Sequence, residues 1–241
     1  MINRLKALVC VTVVVAAASQ ASAGILYFED FTLGTSAVPG AITLLGLGGV
    51  TTTVTDSASF NAALTGGPWD LVIFAEQNTA TFPLSATELT AYVTGGGRVL
   101  GTTWLTGGLD ALLEGSASSV NDSSIGTSGH PIFAGVGPTI SLTNPGWGVF
   151  SRSWNPTGGA TGLGTLGTGS AVILGNGGRT LLNGPLFDTF TTQAQGELFV
   201  ANEIGYLLGV SAVPLPAANL MGLVALGGIG AFGAFRRRRR S

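Results

Sequence analysis

Glu29 and Asp30 close one short apolar run, Ile25-Leu-Tyr-Phe, and Glu76, Gln77 and Asn78 close another, Leu71-Val-Ile-Phe-Ala. Carboxylates at the ends of neighbouring strands can share general acid–base work or bind a divalent cation. The same groups can instead cap loops and helix N-termini in solvent. Asp56, Thr102, Thr103 and Trp104 complete the polar and aromatic residues expected at strand ends. Trp104, Trp147 and Trp154 offer ring faces on which a sugar can stack, or else serve core and rim packing. His130 is the only histidine and precedes Pro131. A Ser-His-Asp arrangement would need it beside a Ser or Thr, with no Gly-x-Ser-x-Gly elbow to mark one. A loop residue that orients the chain is the other reading, and a single imidazole cannot assemble a zinc site of usual ligand count. Gly175-Asn-Gly-Gly-Arg179 follows an apolar run and can cradle an anion or simply turn the chain. No residue pattern calls for a cofactor or a metal.

The elements that carry these residues alternate in type. Ile25–Asp30, Val50–Asp56, Trp69–Glu76 and Arg98–Trp104 read as strands, the first, third and fourth nearly continuous in apolar or β-branched residues. Between them the pattern predicts helices over Ser36–Leu47, capped by Ser36 with Pro39 in the first turn, and over Ala58–Leu64, capped by Ser57. A third helix opens at the capping box Ser85-Ala-Thr-Glu88 and runs to Thr94. Gly48-Gly49, Gly66-Gly67 and Gly95-Gly-Gly97 stop them. Such alternation predicts an α/β fold, a doubly wound and mostly parallel sheet with helices on both faces, flavodoxin-like in its three layers. Ligands of such sheets sit beyond the carboxyl ends of the strands. Farther on, Leu109–Leu113 reads as a short helix, Ser116–Gly129 as polar loop, and Thr139–Thr143 and Val149–Trp154 as short strands. Thr157–Gly169 reads as a Gly-rich flexible loop, Ala171–Gly175 and Thr180–Asn183 as strands, and Gln195–Leu208 as a last helix.

Charge and cysteine bound the partners. Residues 24–210 hold Arg98, Arg152 and Arg179 against all twelve acids of the chain, a net charge of −9 (3 − 12). That sign excludes nucleic acid and anionic membrane as bulk electrostatic partners of the body. The one cysteine, Cys10, lies in an apolar run behind Arg4 and Lys6, and Ala21-Ser-Ala23 follows it. This is the pattern of a secretory signal peptide over residues 1–23, cut after Ala23. The exported body then has no thiol for catalysis, zinc or iron–sulfur ligation.

At the other end, Ala217 to Phe235 carries no charge and, as a helix rising ~1.5 Å per residue, spans about 28 Å. That approaches the ~30 Å of a bilayer core. Arg236, Arg237, Arg238, Arg239 and Arg240 follow, and cationic clusters stay on the cytoplasmic side, which puts the body across the inner membrane. Preceding the span are Val213, Pro214, Leu215, Pro216 and Ala217. Pro-rich motif, span and arginine cluster together resemble the PEP-CTERM sorting signal in its Val-Pro-Leu-Pro-Ala variant, over residues 213–240. The resemblance implies recognition and cutting by an exosortase after Sec export, with release or transfer to the cell surface. A C-terminal anchor that is never cut is the other reading.

The body, over residues 25–208, resembles the class I glutamine-amidotransferase-like superfamily, in particular its trehalose-utilisation-type branch. The pieces that carry this are Trp69-Asp-Leu-Val-Ile-Phe, Gly95-Gly-Gly-Arg-Val-Leu-Gly101 and His130-Pro-Ile-Phe-Ala-Gly-Val136. Enzymes of that superfamily place a cysteine at the turn after the strand matching Arg98–Thr103, where this chain reads Gly101-Thr-Thr-Trp104. The domains expected are therefore a leader (1–23), an exported body (24–210) and a sorting segment (211–241). The function expected is that of a non-catalytic surface or extracellular-matrix protein binding exopolysaccharide or another envelope component through Glu29, Asp30, Glu76, Gln77 and Trp104. The alternative is a secreted carbohydrate-active hydrolase using the strand-end carboxylates.

Overall fold

The computed structural model describes residues 24–78 and 86–210. The expected leader, Ser85 of the expected capping box, and the sorting motif, membrane span and arginine tail over 211–241 lie outside the described residues. Among the described residues no helix is long and apolar enough to cross a membrane.

The chain order is β1 (Ile25–Glu29), α1 (Val38–Leu44), β2 (Thr51–Val54), α2 (Ser57–Gly66), β3 (Leu71–Glu76), α3 (Ala86–Thr94) and β4 (Val99–Thr103). Then come α4 (Leu109–Leu112), β5 (Gly115–Val120), β6 (Ser124–Gly126), β7 (Thr139–Ser141), β8 (Arg152–Pro156), β9 (Thr161–Leu163) and β10 (Thr165–Leu166). The hairpin β11 (Val172–Gly175) and β12 (Thr180–Asn183) precedes the last helix, α5 (Gln193–Leu208).

The central sheet runs β2-β1-β3-β4-β12-β11-β9. Neighbours from β2 through β12 are parallel, and β11 runs antiparallel to both β12 and β9. The largely parallel α/β architecture expected from the sequence is therefore present, with a hairpin and one further strand extending it. Strand order reverses between β1 and β3, because the chain steps from β1 to β2 on one side and then returns to lay β3 on the other.

Both faces are covered because alternate residues of each strand point opposite ways. Ile25, Tyr27, Ile73 and Leu100 pack with Val38 and Ala41 of α1 and with Phe199, Val200 and Ile204 of α5. Leu26, Phe28, Val72 and Phe74 pack with Phe60 and Leu64 of α2 and Leu89 and Val93 of α3. Every residue of β3 and β4 is buried, which is why those stretches read as unbroken apolar or β-branched runs.

Several local expectations are corrected. The first helix is capped at Ala37 without a side-chain bond and ends at Leu44; Gly46, at φ +68°, turns the chain before Gly48. Asp56, not Ser57, caps α2, its carboxylate accepting from the Ser59 N–H at 2.8 Å. The polar stretch Ser116–Gly129 is not a loop throughout but contributes to β5 and holds β6. The Gly-rich stretch Thr157–Gly169 holds β9 and β10, and β9 closes one edge of the central sheet. The strand expected over Val149–Trp154 lies at Arg152–Pro156 and pairs with β5. These short strands carry Ser, Thr and Gly on open faces, so they lack the apolar alternation that announces a strand.

Candidate functional site at the carboxyl ends of β1 and β3

Tyr27 and Glu29 lie two apart on β1 and so share one face of the sheet. The Tyr27 hydroxyl donates to Glu29, and the Gln77 side-chain N–H donates to the other Glu29 oxygen at 2.5 Å. Burial pushes the Glu29 carboxyl up to about 7, partly offset by those donors, with the nearby Asp188 charge adding to the rise. The Tyr27 hydroxyl is likewise raised, by burial first and the Glu29 charge second. Glu29 faces a cleft of about 430 Å³, whose walls include Tyr27, Phe31, Ser36, Thr53 and Thr55.

The register settles whether the strand-end carboxylates form an acid–base pair. β1 and β3 are neighbours, but Glu29 stands opposite Ala75, so Glu76 projects from the other face. Glu76 instead accepts from the Thr103 hydroxyl at 2.5 Å. Burial raises its carboxyl, and the Asp30 and Asp110 charges raise it further. The strand-end residues thus divide: Glu29 lines the cleft with the buried Gln77 amide bonded to it, whereas Glu76 projects from the other face.

Asp30 works as a clamp. Its two oxygens accept the Gln77 and Asn78 backbone N–H groups at 2.8 and 2.6 Å, tying the end of β1 to the loop after β3. Burial raises the Asp30 carboxyl and these donors oppose the rise. Two carboxylates that the sequence did not single out behave the same way. Asp110 accepts from the Gly107 and Gly108 N–H groups at 3.1 and 2.7 Å. Asp188 accepts from Leu33 and Gly34 N–H at 2.8 and 3.0 Å and from the Trp147 indole N–H at 3.0 Å. Nothing in the sequence announces this last clamp, because Leu33 and Gly34 lie 155 and 154 residues from Asp188 along the chain. Tyr27 was findable, since the period of a strand places it beside Glu29.

Trp147 held by Asp188 becomes the centre of an aromatic group. Phe31 meets it edge-on at 5.6 Å between ring centroids, and Trp104 is tilted against it at 6.5 Å. Phe31 is 46 % exposed, as is Leu33 two residues on, and Leu105 is 39 % exposed. The end of the sheet therefore presents apolar surface next to the polar cleft. The Trp104 indole N–H and the Gln77 side-chain oxygen are buried without a hydrogen-bond partner among the described residues.

The remaining sequence candidates serve the scaffold. Asp56 caps α2, and its carboxyl is held low by the Ser59 N–H and hydroxyl. The Thr102 hydroxyl donates to the Pro185 carbonyl at 2.9 Å. His130 caps the 3-10 turn Pro131–Phe133 and packs its ring 4.9 Å from that of Tyr206; burial lowers its pKa. Trp154 is fully buried, its indole donating to the Asn183 carbonyl at 3.0 Å. The turn at Asn176-Gly-Gly178 joins β11 to β12 at the opposite end of the sheet, and the chain's own Glu114 carboxylate accepts the Asn176 N–H at 2.6 Å. Arg179 donates to the Val93 carbonyl at 2.8 Å. The anion cradle is filled from within. No group of three or more His, Cys, Asp or Glu suited to a metal occurs among the described residues.

No family model matches the chain, and no curated protein matches it. Solved structures do. A candidate GMP synthase component from Thermoplasma acidophilum aligns at 14% identity over 78% of this chain and 95% of that one, with a TM-score of 0.50. The N-terminal domain of mmIFT52 aligns at 14% identity over 80% and 100% of the two chains, also at 0.50. A candidate ThuA-like protein from Parabacteroides merdae aligns at 10% identity over 80% and 93%, at 0.47, and adds no weight to the argument. At these identities the likeness is one of fold, and it meets the glutamine-amidotransferase-like architecture expected of the body.

Proposed function

We propose that residues 24–210 are the exported, non-catalytic body of a surface or extracellular-matrix protein, sorted by an exosortase through residues 213–240. In this reading the body binds exopolysaccharide at the carboxyl end of its sheet. The observation that carries the non-catalytic part is the engagement of the carboxylates. Asp30, Asp110 and Asp188 spend their oxygens on the chain's own N–H groups. Glu29 and Glu76, the pair a hydrolase would need, project from opposite faces. What supports sugar binding is the pairing of a hydroxyl-lined cleft with the exposed Phe31 ring in its wall, itself met edge-on by Trp147.

Retention of the protein on polysaccharide from the producing cell tests this. Phe31→Ala, which removes an exposed ring without touching the core, is expected to weaken binding by about 1–2 kcal/mol, the range of a central aromatic contact. Absence of binding by the unaltered protein removes the glycan assignment. The hydrolase reading keeps one supporting observation, since a carboxyl pushed up to about 7 in a cleft is suited to donate a proton near neutral pH. Release of reducing ends from the same polysaccharide, lost in Glu29→Gln, favours the hydrolase; binding without release favours the reading given first.

A further inference from the structure

The amino end of the sheet carries a feature that neither the sugar site nor the sorting segment uses. Gly24 precedes β1, and its backbone N–H donates to an Asp70 carboxylate oxygen at 3.0 Å. Its carbonyl accepts in return from the Asp70 and Leu71 N–H groups, at 2.8 and 3.3 Å. Gly24 is thereby held on both sides, before the first strand has begun. A side chain would not fit comfortably there, because a Cβ on Gly24 would stand 3.2 Å from the Pro68 carbonyl oxygen and 3.4 Å from the Trp69 ring. The residues just before it, Ala21-Ser-Ala23, are the small ones that a signal-peptide cut requires.

We propose that cleavage between Ala23 and Gly24 creates an α-ammonium group for which Asp70 is the built acceptor, so that removal of the leader adds an ion pair to the folded body. The proposal rests on the export reading above. In the cut, water adds across the Ala23–Gly24 peptide bond: its hydroxyl completes the Ala23 carboxylic acid and its hydrogen the Gly24 amine. At neutral pH that amine takes up a further proton from solvent, so one neutral N–H facing Asp70 becomes a cation with three donors. A neutral contact turns into a charge-assisted one, with the heavy atoms already at hydrogen-bond distance. Arg98 and Tyr92 line the same recess as Asp70 and are the other titratable groups beside it.

The sequence supplies an unusually clean reporter. Lys6 is the only lysine, so once the leader is gone the chain holds no side-chain amine. An amine-selective acetylating ester then reads the Gly24 nitrogen and nothing else.

The experiment takes the exported protein as the cell delivers it, maps its first residue by peptide mass, and follows acetylation at pH 7. The expected result is a chain that begins at Gly24 and takes one acetyl group, roughly two- to fivefold more slowly than its Asp70→Asn form, the range of an exposed ion pair. The slowing should fade in high salt. A second measurement needs no variant: the pH of half-maximal reactivity should be higher in the folded protein than in urea. Equal rates in both forms, or the same half-reactive pH folded and unfolded, overturn the capture of the ammonium by Asp70 while leaving export intact. A chain still carrying Met1 overturns export itself.

Discussion

Glu203, on α5, is fully buried and keeps a single described hydrogen bond, from the Asn183 side-chain N–H at 2.9 Å. Its other oxygen and the Asn183 side-chain oxygen, Oδ1, are both buried acceptors without a donor among the described residues. Burial raises the Glu203 pKa well above its ordinary value, opposed by the Asn183 donor, which favours the neutral carboxylic acid in the folded chain. The sign follows: above pH 4.5, where a free Glu ionises, the unfolded chain loses a proton that the folded one keeps. Stability from this group is complete below that pH and declines as pH rises toward the folded pKa. Glu203→Gln, which presents an amide N–H without titrating, is expected to stabilise the protein at pH 7 by about 1 kcal/mol. It should also flatten the decline of the urea midpoint above pH 4.5; an unchanged slope would place its source elsewhere. Single residues of the cleft were only partly legible in the sequence. Glu29 and Asp30 declared themselves by standing at the end of an apolar run. Their separation from Glu76 depended on a one-residue offset in register, and Asp188 entered from the far end of the chain.

Among the elements, the repeating units through β4 were legible because buried parallel strands and amphipathic helices carry unlike periods. The strands β5, β6 and β9 were not, because half-exposed Ser, Thr and Gly satisfy a ladder without advertising it. The β11–β12 hairpin shows what such local pieces contribute. Its turn presents Arg179 to the C-terminal end of α3, where the guanidinium donates to Val93. Arg179→Ala should cost about 1–2 kcal/mol in urea unfolding through loss of a charged hydrogen bond to a helix-end carbonyl. Arg179→Lys should recover only part of that, since an ammonium reaches the carbonyl without the planar fork. A full recovery would mean that charge alone holds the hairpin against the helix.

The molecule as a whole joins a largely parallel α/β body to the two ends on which the proposed export and sorting rest. If the C-terminal segment is a sorting signal, mass determination of the protein recovered outside the cell should find it shortened near Val213–Ala217. Pro214→Ala combined with Pro216→Ala should leave the tail attached and the protein in the membrane fraction. Normal trimming of the double variant would remove exosortase sorting from the account. The two rims of the central sheet bear on the surface role proposed for the body. One is β2, four residues with Thr52 and Thr53 open to solvent, and the other is β9, only three residues long. Strands so brief and so hydroxylated give an incoming backbone little to zip onto. Neighbouring copies packed side by side in a coat would therefore slide past one another instead of knitting into fibrils, and any lasting attachment would have to be made by loops.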